Sequence, residues 1–239
     1  MATPATRAYG ARMSDLFSRL DETGRPLTRA DLMAPGASRH LSECDLEEVD
    51  LSGLDLSGWH FERCTLRHAD LSGARAEGAT FTACRAAFAN LTGADLGEAR
   101  IIGGDWNNTS FRRTKLAGAR FTGCKLTGAD FSDAAALHIM FEEVLLVSAK
   151  LPGFSFNREA LRRVDFSQAD LRKCDFRQAV LEDCSLRDAM LAQTRFDGAD
   201  LRGADLGGVR LTDASLFRGA TISREQAGLL LAELGLKVR

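Results

Sequence analysis

The chain of 239 residues holds four histidines and six cysteines, and neither set is spaced for metal or nucleophile chemistry. Zinc sites draw ligands from close Cys or His pairs, and none occurs here. His40 and His60 could share one surface with Glu62 if the chain repeated every twenty residues, but two solvated histidines are the plainer reading. No nucleophile elbow, phosphate-cradling glycine loop or metalloprotease motif appears. We therefore expect no catalytic residue, no cofactor, no metal site and no enzyme activity. The carboxylates are more informative. Glu43, Asp45, Glu47, Glu48, Asp50, Asp55 and Glu62 follow one another with no Lys or Arg among them. Together with Asp70 they offer a candidate surface for a basic partner.

A repeat must position these groups. From Leu41 to Leu216 an apolar residue recurs at every fifth position without insertion or deletion. Of these 36 positions, 21 are Leu, 10 Phe, one Ile and one Trp, and Ala76, Ala86 and Ala136 alone are small. A period of five matches neither a helix nor a strand. Two residues before each central position the side chain is usually small: 16 Ala, six Cys, four Val, three Thr and one Gly. Internal repetition of this kind decides the architecture before any local propensity does.

Stretches such as Ala69-Asp70-Leu71-Ser72-Gly73, Ala129-Asp130-Phe131-Ser132-Asp133 and Ala199-Asp200-Leu201-Arg202-Gly203 carry the pattern best. Over residues 39 to 218 the chain resembles the pentapeptide repeat family, with its A(D/N)LXX signature. The resemblance implies an all-β fold, a right-handed quadrilateral β-helix with twenty residues per coil. The central residue and the small residue two before it would point inward. About nine coils at the ~4.8 Å strand spacing give a solenoid on the order of 43 Å long. Each coil would bury its apolar residues against its neighbours.

All six cysteines, Cys44, Cys64, Cys84, Cys124, Cys174 and Cys184, fall in the small column. We expect buried, reduced thiols packing as small apolar groups, hence a cytoplasmic protein. No apolar run is long enough to span a membrane. The glycines sit mostly in the last slot of a pentapeptide, where a corner needs a compact or left-handed residue. Recurrent Asp before the central residue belongs to the repeat.

The ends differ from the middle. Residues 1–38 read as a tail and an irregular cap. Met13, Leu16, Phe17 and Leu20 recur at helical spacing after Ser14, and Ala30-Asp31-Leu32 looks like one repeat out of phase. The stretch Ala2 to Met13, with Arg7 and Arg12, faintly resembles a transit peptide; a disordered leader is the blander reading. The solenoid is expected over 39–220, with a C-terminal α-helix and tail over 221–239. There Ser223-Arg224-Glu225-Gln226 forms a capping box, and Gly235 stops the helix. Leu229, Leu230, Leu231, Leu234, Leu236 and Val238 exceed the single stripe that a cap needs. That surplus points to a homodimer through the C-terminal end, the alternative being a monomeric cap with exposed leucines.

This C-terminal segment, Gly219-Ala220-Thr221-Ile222-Ser223 through Leu236-Lys237-Val238, resembles the dimerisation helix of the Qnr and MfpA group. Ala136-Leu137-His138-Ile139 is also similar to Qnr proteins. The likeness implies a non-enzymatic protein that binds DNA gyrase or topoisomerase IV as a partial DNA mimic and protects it from quinolones. Qnr rods carry two projecting loops; this chain has none, as in MfpA.

Charge gives mixed support. Acids outnumber bases 27 to 22 between residues 41 and 220. Yet Glu142-Glu143, Arg162-Arg163, Glu182-Asp183 and Arg202 would alternate in sign from coil to coil, as would Asp55, Arg75, Asp95 and Lys115. Such ladders favour the second reading, a generic protein-interaction scaffold. Arg112, Arg113, Lys115, Arg120 and Lys125 make only a small basic patch, so direct nucleic-acid binding is not expected. Leu137, Met140, Leu145 and Val147 occupy outward slots and form a candidate apolar partner site, unless a bulge turns them inward. Glu159, in an inward slot, marks irregularity nearby; either Arg158, Arg162 or Arg163 pairs with it or the coil twists it out.

Overall fold

A computed structural model describes residues 22–23, 26–34, 39–209, 211–233 and 235–237. After a two-residue strand, β1 (Glu22–Thr23), eight three-residue strands recur at intervals of twenty: β2 (His40–Ser42), β3 (His60–Glu62), β4 (Thr80–Thr82), β5 (Arg100–Ile102), β6 (Arg120–Thr122), β7 (Met140–Glu142), β8 (Ala160–Arg162) and β9 (Val180–Glu182). They form one parallel sheet in chain order, with His40 opposite His60 and Phe61 opposite Phe81. The other sides pair through single parallel bridges such as Asp45 with Thr65, Asp50 with Asp70 and Asp55 with Arg75. This is the expected right-handed, four-sided solenoid. The eight strands from β2 to β9 bound seven complete turns, somewhat fewer than the nine coils expected.

Each corner turns on a left-handed residue two after the central one. Gly53 and Gly58 have φ of 65° and 68°, and the bulkier His68 and Phe88 adopt 55° and 63°. A non-glycine residue there costs roughly 1–2 kcal/mol. The recurrent Asp offsets this by bonding the corner's backbone. Asp50 Oδ1 accepts the Ser52 N–H at 2.8 Å, and Asp70 and Asp165 do the same for Ser72 and Ser167 at 2.9 Å.

Both inward columns are stacked and largely buried. Phenylalanines pile face to face, Phe61 on Phe81 at 4.8 Å and Phe156 on Phe176 at 4.7 Å between ring centres. Cys44, Cys64 and Cys84 lie on successive coils, and all six cysteines are buried, none of them in a disulfide. Their thiols do what the buried threonines do. Cys84 Sγ donates to the Phe61 carbonyl at 3.3 Å, and Thr109 Oγ1 to the Ala86 carbonyl at 2.9 Å. Burial pushes the Cys124 and Cys174 thiols up to about 12 and Cys184 to about 11. The Cys84 thiol is raised by its contact with Cys64 and by burial. None of these four is a nucleophile at neutral pH.

At the N-terminal end Ala30-Asp31-Leu32 is not a stray repeat but part of a short helix, α1 (Arg29–Met33), closed by a Thr28–Asp31 capping box. Leu27 and Leu32 are buried over the first coil. Arg29 donates to the Asp50 and Ser52 carbonyls at 3.1 and 2.9 Å. The helix expected around Met13 to Leu20 falls outside the described residues.

At the other end the phase slips. Residues Leu211–Phe217 form a 3-10 helix that lengthens the coil by one residue, so Asp200 pairs with Thr221. Phe217, rather than Leu216, therefore stacks on Phe196 at 4.6 Å. The closing helix, α2 (Arg224–Glu233), begins with the expected box: Gln226 Oε1 accepts the Ser223 N–H at 2.6 Å. The Gln226 amide also donates to the Leu201 and Ala204 carbonyls at 2.7 and 2.6 Å, tying the cap to the last regular coil. Gly235, at φ +78°, ends the helix. Leu236 N–H reaches the Leu231 carbonyl at 3.1 Å, a Schellman closure. Among the described residues no helix is long and apolar enough to cross a membrane.

The small column has one position that admits no side chain. A Cβ on Gly104, at φ +90°, would lie 2.2 Å from the Cys84 carbonyl oxygen. Gly104→Ala should therefore cost on the order of 3 kcal/mol or more in urea unfolding. Gly123→Ala, at a corner with open space around it, should cost only about 1–2 kcal/mol. Equal costs would mean that the coils separate freely at Gly104.

Candidate functional site

The acidic first coil is folded against bases that lie elsewhere in the sequence. Arg63 Nε donates to Glu43 at 2.9 Å, Arg67 lies 3.6 Å from Glu47, Arg29 donates to Asp50 at 3.1 Å and Arg75 to Asp55 at 2.9 Å. Asp70 accepts from the Ser72 N–H and, at 3.0 Å, from Asn90. Asp45 caps its own corner through the Glu47 N–H. Among the described residues, only Asp45 and Glu48 of the six exposed acids from Glu43 to Asp55 have no basic side chain within ion-pair distance. The expected ladders are present too: Arg163 pairs with Glu143, Arg162 with Glu182 at 2.9 Å and Lys115 with Asp95 at 3.0 Å. Of the small basic patch, Arg112 reaches Asp130 at 3.5 Å and Lys115 reaches Asp95, whereas Arg113, Arg120 and Lys125 have no acid within ion-pair distance among the described residues.

A second class of ion pair lies within single pentapeptides. Arg172 donates through Nε and Nη2 to both oxygens of Asp170 at 2.8 and 2.7 Å, and Arg177 to Asp175 and Arg202 to Asp200 repeat the fork. The signal is Asp-X-Arg in the repeat, which places the guanidinium over the corner. The fork holds Asp170 below the usual carboxylate range, although burial opposes it.

His40 and His60 do meet, with ring centres 6.2 Å apart and His40 Nε2 3.6 Å from Glu62. Among the described residues no group of three His, Cys, Asp or Glu is arranged to hold a metal.

The apolar cluster is outside. Leu137 is 68% exposed, Met140 39% and Leu145 41%, with Val147 half-buried. The same region contains a seam in the solenoid. Between coils, Leu116 N–H donates to Ala135, Gly118 to Leu137 and Met140 to Ala119; one coil later Phe156 donates to Asp175, Arg158 to Arg177 and Val180 to Glu159. None of the matching bonds joins Ala134–Met140 to Ser155–Ala160 among the described residues. Strands β7 and β8 keep one pair, Glu142 with Arg162, where the other neighbours from β2 to β9 keep three. Ala134 and Ala136, inward by register, are half-exposed. A cavity of about 240 Å³ opens there, lined by Ile139, Met140, Glu142, Glu159, Ala160 and Arg162.

Three residues out of keeping with the repeat lie at the seam. Phe154 is too large for the small column and packs on Phe131 and Phe156 at 6.0 and 6.1 Å. Ala136 is too small for the central column, and Glu159 brings a carboxylate to an inward slot, where burial would be costly. None of the three expected bases answers it. Arg158 donates to Gln178, Arg162 to Glu182 and Arg163 to Glu143.

At the C-terminal end Leu229 is 70% and Leu236 53% exposed, while Leu230 packs on the core and Leu231 is half-buried. Leu234 and Val238 fall outside the described residues.

The chain belongs to the pentapeptide-repeat family: the family described as Pentapeptide repeats matches it in 8 copies over residues 60–97, 89–133, 141–178 and 179–216. The matched segments pass over 134–140, one lip of the seam. Among solved structures it is similar to two of QnrB1, described as a plasmid-mediated fluoroquinolone resistance protein. A trypsin-treated form is 22% identical with a TM-score of 0.73, over 84% of this chain and 99% of that one. The full-length form is 22% identical with a TM-score of 0.68, over 80% and 96%. At that identity the likeness carries the fold alone. No curated protein sequence matches.

The Asp170 fork sets a sign for acid unfolding. Its folded carboxyl titrates below the unfolded one, so its stabilisation is present above the unfolded value and is lost as pH falls through the folded value. Asp170→Asn should lower unfolding free energy by roughly 1 kcal/mol at neutral pH, after allowance for the exposed guanidinium. The deficit should shrink by about pH 3. A deficit independent of pH in urea titrations would assign the loss to packing.

Proposed function

We propose that this protein is a non-enzymatic, cytoplasmic protein-binding rod that docks on DNA gyrase or topoisomerase IV and protects it from quinolone-type poisons. The observation that carries this reading is the exposed cluster of Leu137, Met140 and Leu145 on a rod many of whose charges are paired. An apolar patch beside an open seam is the surface on which binding a protein gains most. The Qnr-like C-terminal segment supports the choice of partner. DNA mimicry is a minor part of it. With Glu43, Glu47, Asp50 and Asp55 each facing an arginine, the first coil presents Asp45 and Glu48 as its free charges. The same pairing favours the second reading, a scaffold for an unrelated protein. Direct nucleic-acid binding is not proposed, because the basic patch is small and acids outnumber bases along the rod.

A supercoiling assay with purified gyrase and ciprofloxacin tests the choice. The protein should restore supercoiling at micromolar concentrations. Changing Leu137, Met140 and Leu145 together to Ser should abolish the rescue, with circular dichroism unchanged. Absence of both rescue and inhibition by the parent chain would leave the scaffold reading.

We further propose that two rods join end to end through α2, with the exposed Leu229 and Leu236 meeting a second copy. Light scattering should give twice the chain mass, and deletion of residues 224–239 should halve it. A monomeric parent would refute the dimer.

A further inference from the structure

The seam leaves backbone groups unpaired on two facing lips. Ala136, His138, Ser155 and Ala160 have no hydrogen-bond acceptor for their N–H groups among the described residues, although their counterparts twenty residues before and after all donate across coils. Unpaired strand edges bind extended chain. Glu159 is half-buried and lines the cavity at the seam, and its carboxylate has no hydrogen-bond or ion-pair partner among the described residues. Glu142 lines the same cavity, and Leu137 and Met140 stand exposed at its rim.

We propose that the seam between Ala134–Met140 and Ser155–Ala160 is a docking slot for an extended segment of a partner protein that carries an Arg or Lys flanked by apolar residues. The segment's backbone bonds to the open lips, its cation meets Glu159 and Glu142, and its apolar neighbours cover Leu137 and Met140. Charge complementarity selects this occupant: an acidic segment would add a third carboxylate to a site whose nearby arginines are already engaged. The proposal rests on the protein-binding reading but on no particular partner.

Two measurements on the full chain test it. Amide hydrogen exchange should show residues 134–140 and 155–160 exchanging faster than the same slots one coil away. Equal protection would mean that the seam is closed in solution and would overturn the proposal. An array of extended peptides alternating Val and Thr around a central Arg, Lys, Gln or Glu then supplies the ligand. Arg- and Lys-centred peptides should be retained over Glu-centred ones and should slow exchange at both lips. Glu159→Gln should lower their affinity about tenfold and leave the fold intact, with unchanged or higher thermal stability once the unpaired charge is gone. Retention indifferent to the central residue, or to Glu159→Gln, would overturn the slot. Self-association of the parent that Glu159→Gln abolishes would put a second copy there and overturn it as well. Failure of the parent chain to rescue gyrase, with slot binding intact, would refute the choice of partner alone, whereas Arg- and Lys-centred peptides that leave exchange at both lips unchanged would refute the slot alone.

Discussion

The structure depends on the narrowness of its tube. No pentapeptide can bury its own central side chain, so each coil is dried by the coils above and below it. A wide column is tolerable only beside a narrow one, which is why Leu and Phe alternate with Ala, Cys, Thr and Gly. The rule explains residues that look unrelated in the sequence. Cys84 and Thr109 share a column because both are small and both can donate to a carbonyl. Ala86 sits one coil below Trp106, leaving room for an indole in a central column. Gly104 is the limiting case, where even a methyl group collides with the neighbouring backbone.

The register that stacks the core also stacks the surface. A charge at one position faces the residue twenty away, and the rod uses this to neutralise itself, as in Glu43 with Arg63, Asp55 with Arg75 and Glu143 with Arg163. Each such exposed pair contributes little to stability. Collectively they weaken the broad negative field that a complete DNA mimic would need. Recognition then falls to places where the register fails.

Much of this was legible in the sequence because the repeat is a statement about packing. The inward columns, the corner glycines, the buried cysteines and the Ser223–Gln226 box all follow from residue size and spacing. The partners of the acidic coil were less legible. Arg63 and Arg75 lie one coil on and were within reach of the repeat, but Arg29 comes from a cap that the repeat does not govern. The last coil misled for the opposite reason. Leu211 and Leu216 keep phase along the chain, yet the 3-10 turn inserts a residue and hands the central slot to Phe217. A periodic signal cannot report where the chain stops obeying it.

The seam lies between these cases. Glu159 marked it, since a carboxylate in a dry column forces either a partner or a breach. What the pattern did not reveal is that Phe154 and Ala136 err in opposite directions, one overfilling the small column and one underfilling the large one. Either alone would be absorbed by a shift of side chains. Together with Glu159 they make closing the ladder costlier than leaving it open on that side. A globular core would spread such a fault through its packing. A solenoid confines it, because the coils on either side pair with their own neighbours and need nothing from the gap. That confinement lets the rod keep an unpaired edge, an unanswered carboxylate and exposed leucine side chains at one place without losing its fold. Features that each cost stability, gathered at one seam in an otherwise regular repeat, are the arrangement expected where a protein has kept a site.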